Sequence, residues 1–141
     1  MKRALQHLRK DPILAEIIDR VGTYGIQFRE PNFETLVKSI VYQQLSGRVA
    51  GVIFASVAAA VAESPMTPEA VLRLTPRKMR ALGLSKQKVE YIRDLAKRTL
   101  AGQIDFASCH GFSDDELIER FTAVKGIGAW TVQMFLSLIH I

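Results

Sequence analysis

Cysteine is nearly absent from this 141-residue sequence. Cys109 stands alone, which excludes an internal disulfide framework and a four-cysteine zinc or iron–sulfur centre. It has no cap and no basic neighbour except His110, so it is expected to be unreactive. His7 and His110 have no ligand partner at a useful spacing and are expected at the surface; no metal and no cofactor is implied. Long apolar runs are lacking too: the longest, residues 49–62, is broken by Ser56 and too short to span a bilayer. The opening Met1-Lys2-Arg3-Ala4-Leu5-Gln6-His7 lacks the apolar stretch of a signal peptide. No segment alternates with period two for more than a few residues, which leaves Ile26-Gln27-Phe28 as the one scrap of predicted strand. Together these absences predict a reduced, intracellular, soluble protein without a membrane partner, cytoplasmic in a bacterium or nuclear in a eukaryote.

Apolar residues make up 48% and charged residues 23%, the balance of a folded globular chain. The length fits one domain, or one with part of a second. Helical punctuation recurs throughout. Asp11-Pro12 opens a helix that Gly22 closes, with Ile13, Ile17, Ile18 and Val21 marking an apolar face. Pro31-Asn32 starts another, with Leu36, Val37, Ile40 and Val41 at helical spacing. Gln43-Gln44 interrupts it, and Ser46 is placed to cap a segment running to about residue 62. Thr67-Pro68 and Thr75-Pro76 each begin a short helix. Ser85 begins a longer one ending before Gly102, and Ser113 to Glu116 reads as a capping box. The chain is predicted to be all-α, with about eight helices.

Residues 35–62 carry only Lys38 and Arg48 as charges, so this segment is predicted to be the centre of the core. Tyr42, Phe28 and Phe33 are expected to pack. Nineteen Lys and Arg outweigh fourteen Asp and Glu, for a net charge of +5. The excess concentrates at residues 71–100, where Arg73, Arg77, Lys78, Arg80, Lys86, Lys88, Arg93, Lys97 and Arg98 face only Glu90 and Asp94. Such a run fits either a solvated face or an anionic partner, and charge alone does not choose between them.

The sharpest pattern lies at about residues 113–136. Leu117, Ile118, Phe121 and Val124 line one helix, Lys125-Gly126-Ile127-Gly128 turns the chain, and Ala129 to Leu136 forms a second helix. Gly126 and Gly128 can adopt positive φ and carry no side chain, so a large group can approach their backbone. Ile127 is expected to tuck between the helices. The amides after the turn are unpaired donors at a helix N-terminus, suited to phosphate. Nothing in the loop addresses a base edge, so this helix–hairpin–helix pattern predicts DNA binding without sequence readout.

Phe121-Thr122-Ala123-Val124-Lys125-Gly126-Ile127-Gly128-Ala129-Trp130-Thr131 closely resembles the hairpin of the DNA-3-methyladenine glycosylase II family. Ser39-Ile40-Val41-Tyr42-Gln43-Gln44-Leu45-Ser46 resembles that family's signature on its central helix pair. Leu82 to Arg93 resembles its later turn-and-helix signature. The resemblance implies a helical bundle with a second lobe incomplete in this chain, treated as one partial domain over residues 1–141. It implies removal of alkylated purines such as 3-methyladenine from double-stranded DNA, by base flipping and hydrolysis of the N-glycosidic bond, by a monomer. Gln44, Ser46, Lys125, Gly126, Ile127, Gly128 and Thr131 would contact DNA, with Gln44 entering the gap left by the flipped nucleotide. Trp130 and Met134 would wall the base pocket.

Members that also cut the strand carry a lysine where Trp130 stands. An indole cannot form an imine, so the implied enzyme is monofunctional, with water as nucleophile. Trp130 as plain core remains the commoner fate of such a residue. Gln43 is expected to bond helix ends while Gln44 faces DNA. Lys125 is open to either a phosphate or the dipole of its own helix. The family's catalytic Asp is expected some twenty residues after Trp130, past Ile141, and Asp114, Asp115, Glu116 and Glu119 sit on the wrong helix to replace it. Residues 137–141 look unlike the family's continuation and are expected to be a non-native tail. The chain as written is therefore expected to excise nothing. The alternative is a non-catalytic helix–hairpin–helix DNA-binding module.

Overall fold

A computed structural model describes residues 2–22 and 32–139. The predicted strand at Ile26-Gln27-Phe28, the packing of Phe28, and His140-Ile141 at the end of the predicted tail lie outside the described residues. Among those described there is no strand; the elements are helices α1 (Lys2–Leu8), α2 (Pro12–Val21), α3 (Phe33–Tyr42), α4 (Gly47–Val61), α5 (Pro68–Arg73), α6 (Pro76–Ala81), α7 (Lys86–Leu100), α8 (Asp114–Thr122) and α9 (Ala129–Ile139). A 3₁₀ turn at Cys109–Gly111 precedes α8. No described helix is long and apolar enough to cross a membrane.

The caps explain the boundaries. Asp11 accepts hydrogen bonds from the amides of Ile13 (2.8 Å) and Leu14 (3.1 Å), with Pro12 pre-set for the first turn. Thr67, Thr75 and Ser85 do the same for α5, α6 and α7. Ser46 occupies the N-cap of α4 as predicted, but its hydroxyl makes no capping bond and is left exposed.

The core forms where α7 packs on α3 and α5. Val89, Ile92, Leu95 and Ala96 of α7 are buried with Leu36, Val37, Ile40 and Val41 of α3 and Ala70 and Val71 of α5. Cys109 is buried, and its thiol donates to Asp105 O. Desolvation, then the nearby Asp105 carboxylate, push that thiol above its ordinary pKa, in keeping with an unreactive group.

Two packing expectations need correction. Residues 35–62 are not uniformly core: α3 is, but α4 buries only Ala50, Val57 and Val61 and exposes Val49 and Val52. Its uncharged composition hides a single packing face, the one turned to α3 and α5. The apolar face of α2 buries none of its residues, with Ile13 and Val21 more than 70% exposed. Apolar spacing made these helices amphipathic without supplying a partner among the described residues.

The same core extends to lock α8 to α9. The rings of Phe106, Phe121 and Phe135 meet with centroids 5.8, 6.1 and 5.4 Å apart, two of the pairs edge to face. Phe121→Ala should cost about 3–5 kcal/mol of stability, measured by urea denaturation. A loss below 1 kcal/mol would contradict this account of how the two helices are joined.

Candidate nucleic-acid interface

The hairpin begins with the predicted capping box. Ser113 Oγ accepts from the Glu116 amide (3.4 Å), and Glu116 Oε2 accepts from the Ser113 amide (2.8 Å) and hydroxyl (2.8 Å). These bonds hold the Glu116 carboxyl below its usual pKa and commit it as a cap. Leu117 and Phe121 continue inward, Val124 and Ile127 are buried after them, and Val132, Phe135 and Leu136 bury the inner face of α9. Ile127 thus fills the angle between the helices, and its side chain does not reach the surface.

The turn is set by Val124 N–H donating to Phe121 O (3.1 Å) and Ile127 N–H donating to Val124 O (3.2 Å). Gly126 has φ +78°, the left-handed region that favours glycine. Gly128, although free to adopt positive φ, does not take it. Its carbonyl accepts the first bond of α9, from Val132 N–H (3.1 Å), and that capping position uses backbone any residue can adopt. What distinguishes Gly128 is open space: a Cβ added there meets nothing within 4 Å. The amides of Gly128, Ala129, Trp130 and Thr131 have no acceptor among the described residues. They form a set of donors at the positive end of a helix dipole.

Three contacts pin this turn to the rest of the fold. A Cβ on Gly126 would lie 2.0 Å from the Tyr91 ring of α7, so the glycine lets the aromatic face sit directly on the backbone. Gln43 Nε2 donates to Gly126 O at 2.9 Å, the helix-end bond expected of Gln43. Asp94 Oδ2 accepts from the Lys125 amide (3.0 Å) and from Arg98 Nε (3.0 Å). Desolvation alone would raise the Asp94 pKa, but the Lys125 amide and the Arg98 guanidinium outweigh it and leave the carboxyl below its usual value. Lys88 Nζ then donates to Val41 O (2.7 Å) and Gln43 O (2.8 Å), closing the end of α3. Burial pulls that ammonium below the ordinary lysine pKa.

Gln44 follows in left-handed backbone at φ +57°, unusual for a residue with a side chain. It is exposed and lines, with Gln43, Ser85, Gln87, Tyr91 and Gly126, a hollow of about 420 Å³. The structure therefore brings Gln44 and the hairpin to one concavity. Trp130 is 73% exposed and Met134 52%, one turn apart on the outer face of α9. Core packing of the tryptophan is excluded among the described residues. The Lys125 side chain is exposed and Thr131 half-buried.

Tyr91, Lys88 and Asp94 were missed as site residues. Tyr91 and Lys88 stood within the matched segment 82–93, but only the fold shows that they serve the turn near residues 41–44 and the hairpin near 126.

An all-α fold that turns through a glycine hairpin between two helices, with unpaired main-chain donors and an exposed tryptophan at the start of the second, defines a helix–hairpin–helix protein. The chain belongs to the HhH-GPD superfamily of base excision DNA repair proteins, whose family model matches residues 37–133. It is 33% identical over 126 residues to DNA-3-methyladenine glycosylase 1 of Schizosaccharomyces pombe, covering 85% of this chain and 55% of that one. A solved structure of 3-methyladenine DNA glycosylase from that yeast, in complex with abasic DNA, superposes with a TM-score of 0.81 at 32% identity, covering 95% of this chain and 68% of that one. DNA-3-methyladenine glycosidase from Bacillus halodurans gives 0.75 at 36% identity, covering 92% and 59% respectively. The chain spans about half the length of the first two curated relatives it matches.

Two predictions follow from the pinned turn. Gly126→Ala should lose about 1–3 kcal/mol, from positive φ and the collision with Tyr91, whereas Gly128→Ser should fold as stably as the parent; equal losses in thermal melts would refute the distinction. Asp94 has a folded pKa below its unfolded value, so its stabilisation is full above about pH 4 and is lost as pH falls through the folded pKa. The stability gap between the parent and Asp94→Asn should therefore be steady from neutral pH down to about pH 5 and shrink below about pH 4. A gap that widens on acidification would contradict the assignment.

Proposed function

We propose that this chain supplies the DNA-gripping and base-presenting part of a monofunctional glycosylase that removes alkylated purines, such as 3-methyladenine, from double-stranded DNA. The observation that carries the reading is the row of unpaired amides from Gly128 to Thr131, on a hairpin whose Gly126 shares a concavity with Gln44 and whose second helix exposes Trp130. The amides of Gly128, Ala129 and Trp130 hold a phosphate beside the lesion, and Lys125, Thr131 and the free Ser46 hydroxyl add polar contacts. Phosphate contacts of this kind fix position without reading sequence.

Gln44 enters the stack as the damaged nucleotide leaves it. Extrusion costs a few kcal/mol and least for a weakened pair, which contributes selectivity. The left-handed backbone at Gln44 is a strained conformation of the sort found where function needs a side chain held out. Trp130 stacks on the extruded base with Met134 beside it. An indole face attracts a cationic alkylated purine by up to ~2 kcal/mol when desolvated. In the reaction, water oxygen bonds to the sugar C1′ while the C1′–N bond breaks. The bonding pair leaves on the purine, whose positive charge it cancels, and the water proton passes to a carboxylate.

Of the described carboxylates around the hairpin, Glu116 is committed to its capping box, and Asp94 to Lys125 and Arg98. The activity assigned to these 141 residues is therefore recognition, as a monomer, and not excision. Equilibrium binding at one salt concentration should favour a duplex with an abasic-site analogue over intact duplex by about tenfold, equivalent to about 1.4 kcal/mol. No base should be released from alkylated DNA, and Gly128→Asp should abolish binding. Equal affinity for both duplexes would favour a plain DNA-binding module, and measurable 3-methyladenine release would overturn the division of labour.

A further inference from the structure

The basic residues at 71–100 part in the fold into four that bond within the protein and five exposed ones, of which Arg77 and Lys78 lie outside the groove that the other three line. Arg73 pairs with Glu63, Lys88 closes α3, Arg93 donates to Leu74 O at 2.8 Å, and Arg98 bonds Asp94 and Gln103. These four serve the structure. Arg80, Lys86 and Lys97 are exposed and make no side-chain hydrogen bond or ion pair among the described residues. They line a single groove of about 400 Å³ together with Lys125, which stands at the edge of the hairpin. Glu90 is its opposing free carboxylate; Asp94, also in the wall, is already committed.

The position of this groove gives it meaning. The hollow under Gln44 takes Gln87, Lys88 and Tyr91 from α7 and Gly126 from the hairpin. The basic groove takes Lys86, Glu90 and Lys97 from α7 and Lys125 from the hairpin. At 100° per residue, those two sets occupy different faces of α7. The hairpin therefore sits between them, with Gln44 on one side and unpaired cations on the other.

We infer that the groove of Arg80, Lys86, Lys97 and Lys125 binds flanking phosphodiesters of the same DNA duplex, beyond the phosphate held by the hairpin. This rests on the DNA-binding reading above and extends its footprint. Recognition there is by charge, with Glu90 repelling a strand seated too deep. Each phosphate neutralised by a cation steepens the salt dependence of binding by about 0.9 in the log–log slope.

The test is a salt titration of binding to abasic-analogue duplex by the parent and by the triple variant R80Q/K86Q/K97Q. Those side chains bond nothing within the fold, and matched melting curves check that the variant is intact. The expected result is a slope shallower by about 2–3 and affinity at physiological salt lower by roughly tenfold or more, with abasic preference retained. On a duplex trimmed close to the lesion, parent and variant should converge. Unchanged slope and affinity in a parent that binds abasic duplex would overturn the groove while leaving the hairpin reading intact. An equal loss with single-stranded RNA of the same length would overturn the duplex assignment. If parent and variant differ as expected but neither prefers abasic duplex, the groove stands and the lesion-recognition reading falls.

Discussion

The interface depends on one missing methyl group. At Gly126 the chain turns through positive φ and lays its backbone against the Tyr91 ring, a contact that any Cβ would forbid. From that seat the Gly126 carbonyl faces Gln43, the Lys125 amide faces Asp94, and Ile127 points into the core. The polar groups on the inner side of the turn are thus satisfied within the protein. Those just beyond it, the amides of Gly128 to Thr131, have no acceptor among the described residues. A binding surface made of main-chain donors needs this rigidity, because amides that wandered would pay for ordering at each encounter.

The same contacts join regions far apart in sequence. Lys88 holds the carbonyls of Val41 and Gln43, and Gln43 holds the carbonyl of Gly126. The turn presenting Gln44, helix α7 and the hairpin are therefore one hydrogen-bonded unit. This network fixes the separation of Gln44 from the hairpin, which the proposed function requires of a side chain that enters a duplex and a loop that grips its backbone. Charge follows the same logic. Part of the basic excess is used within the fold as caps and ion pairs, and Arg80, Lys86 and Lys97 remain free in a groove that Lys125 of the hairpin also lines.

Much of this was legible from residue order because the signals were local. Asp11-Pro12, Thr67-Pro68, Thr75-Pro76 and the Ser113–Glu116 box each carry their own hydrogen-bonding logic, and each begins a helix where expected. Ile127 between two glycines reads as buried for the same reason. The misreadings were of long-range origin. Periodicity marks an apolar face on α2 and the scarcity of charge marks α4 as core, but whether a face is covered depends on neighbours that neither signal encodes. Gly128 looked equivalent to Gly126; only the fold shows that one glycine accommodates Tyr91 and the other leaves space open. Lys88 and Asp94 looked like members of a charge run, and their roles appeared only once α7 was set beside α3 and the hairpin.

The central claim is that free amides at the start of α9 are the phosphate ligands. Amide proton chemical shifts, followed by ¹H–¹⁵N correlation spectra while abasic-analogue duplex is added, address it directly. The account predicts large downfield shifts for Gly128, Ala129 and Trp130, and little movement for the Lys125 amide already bonded to Asp94. Saturable DNA binding with those three amides unmoved would contradict it.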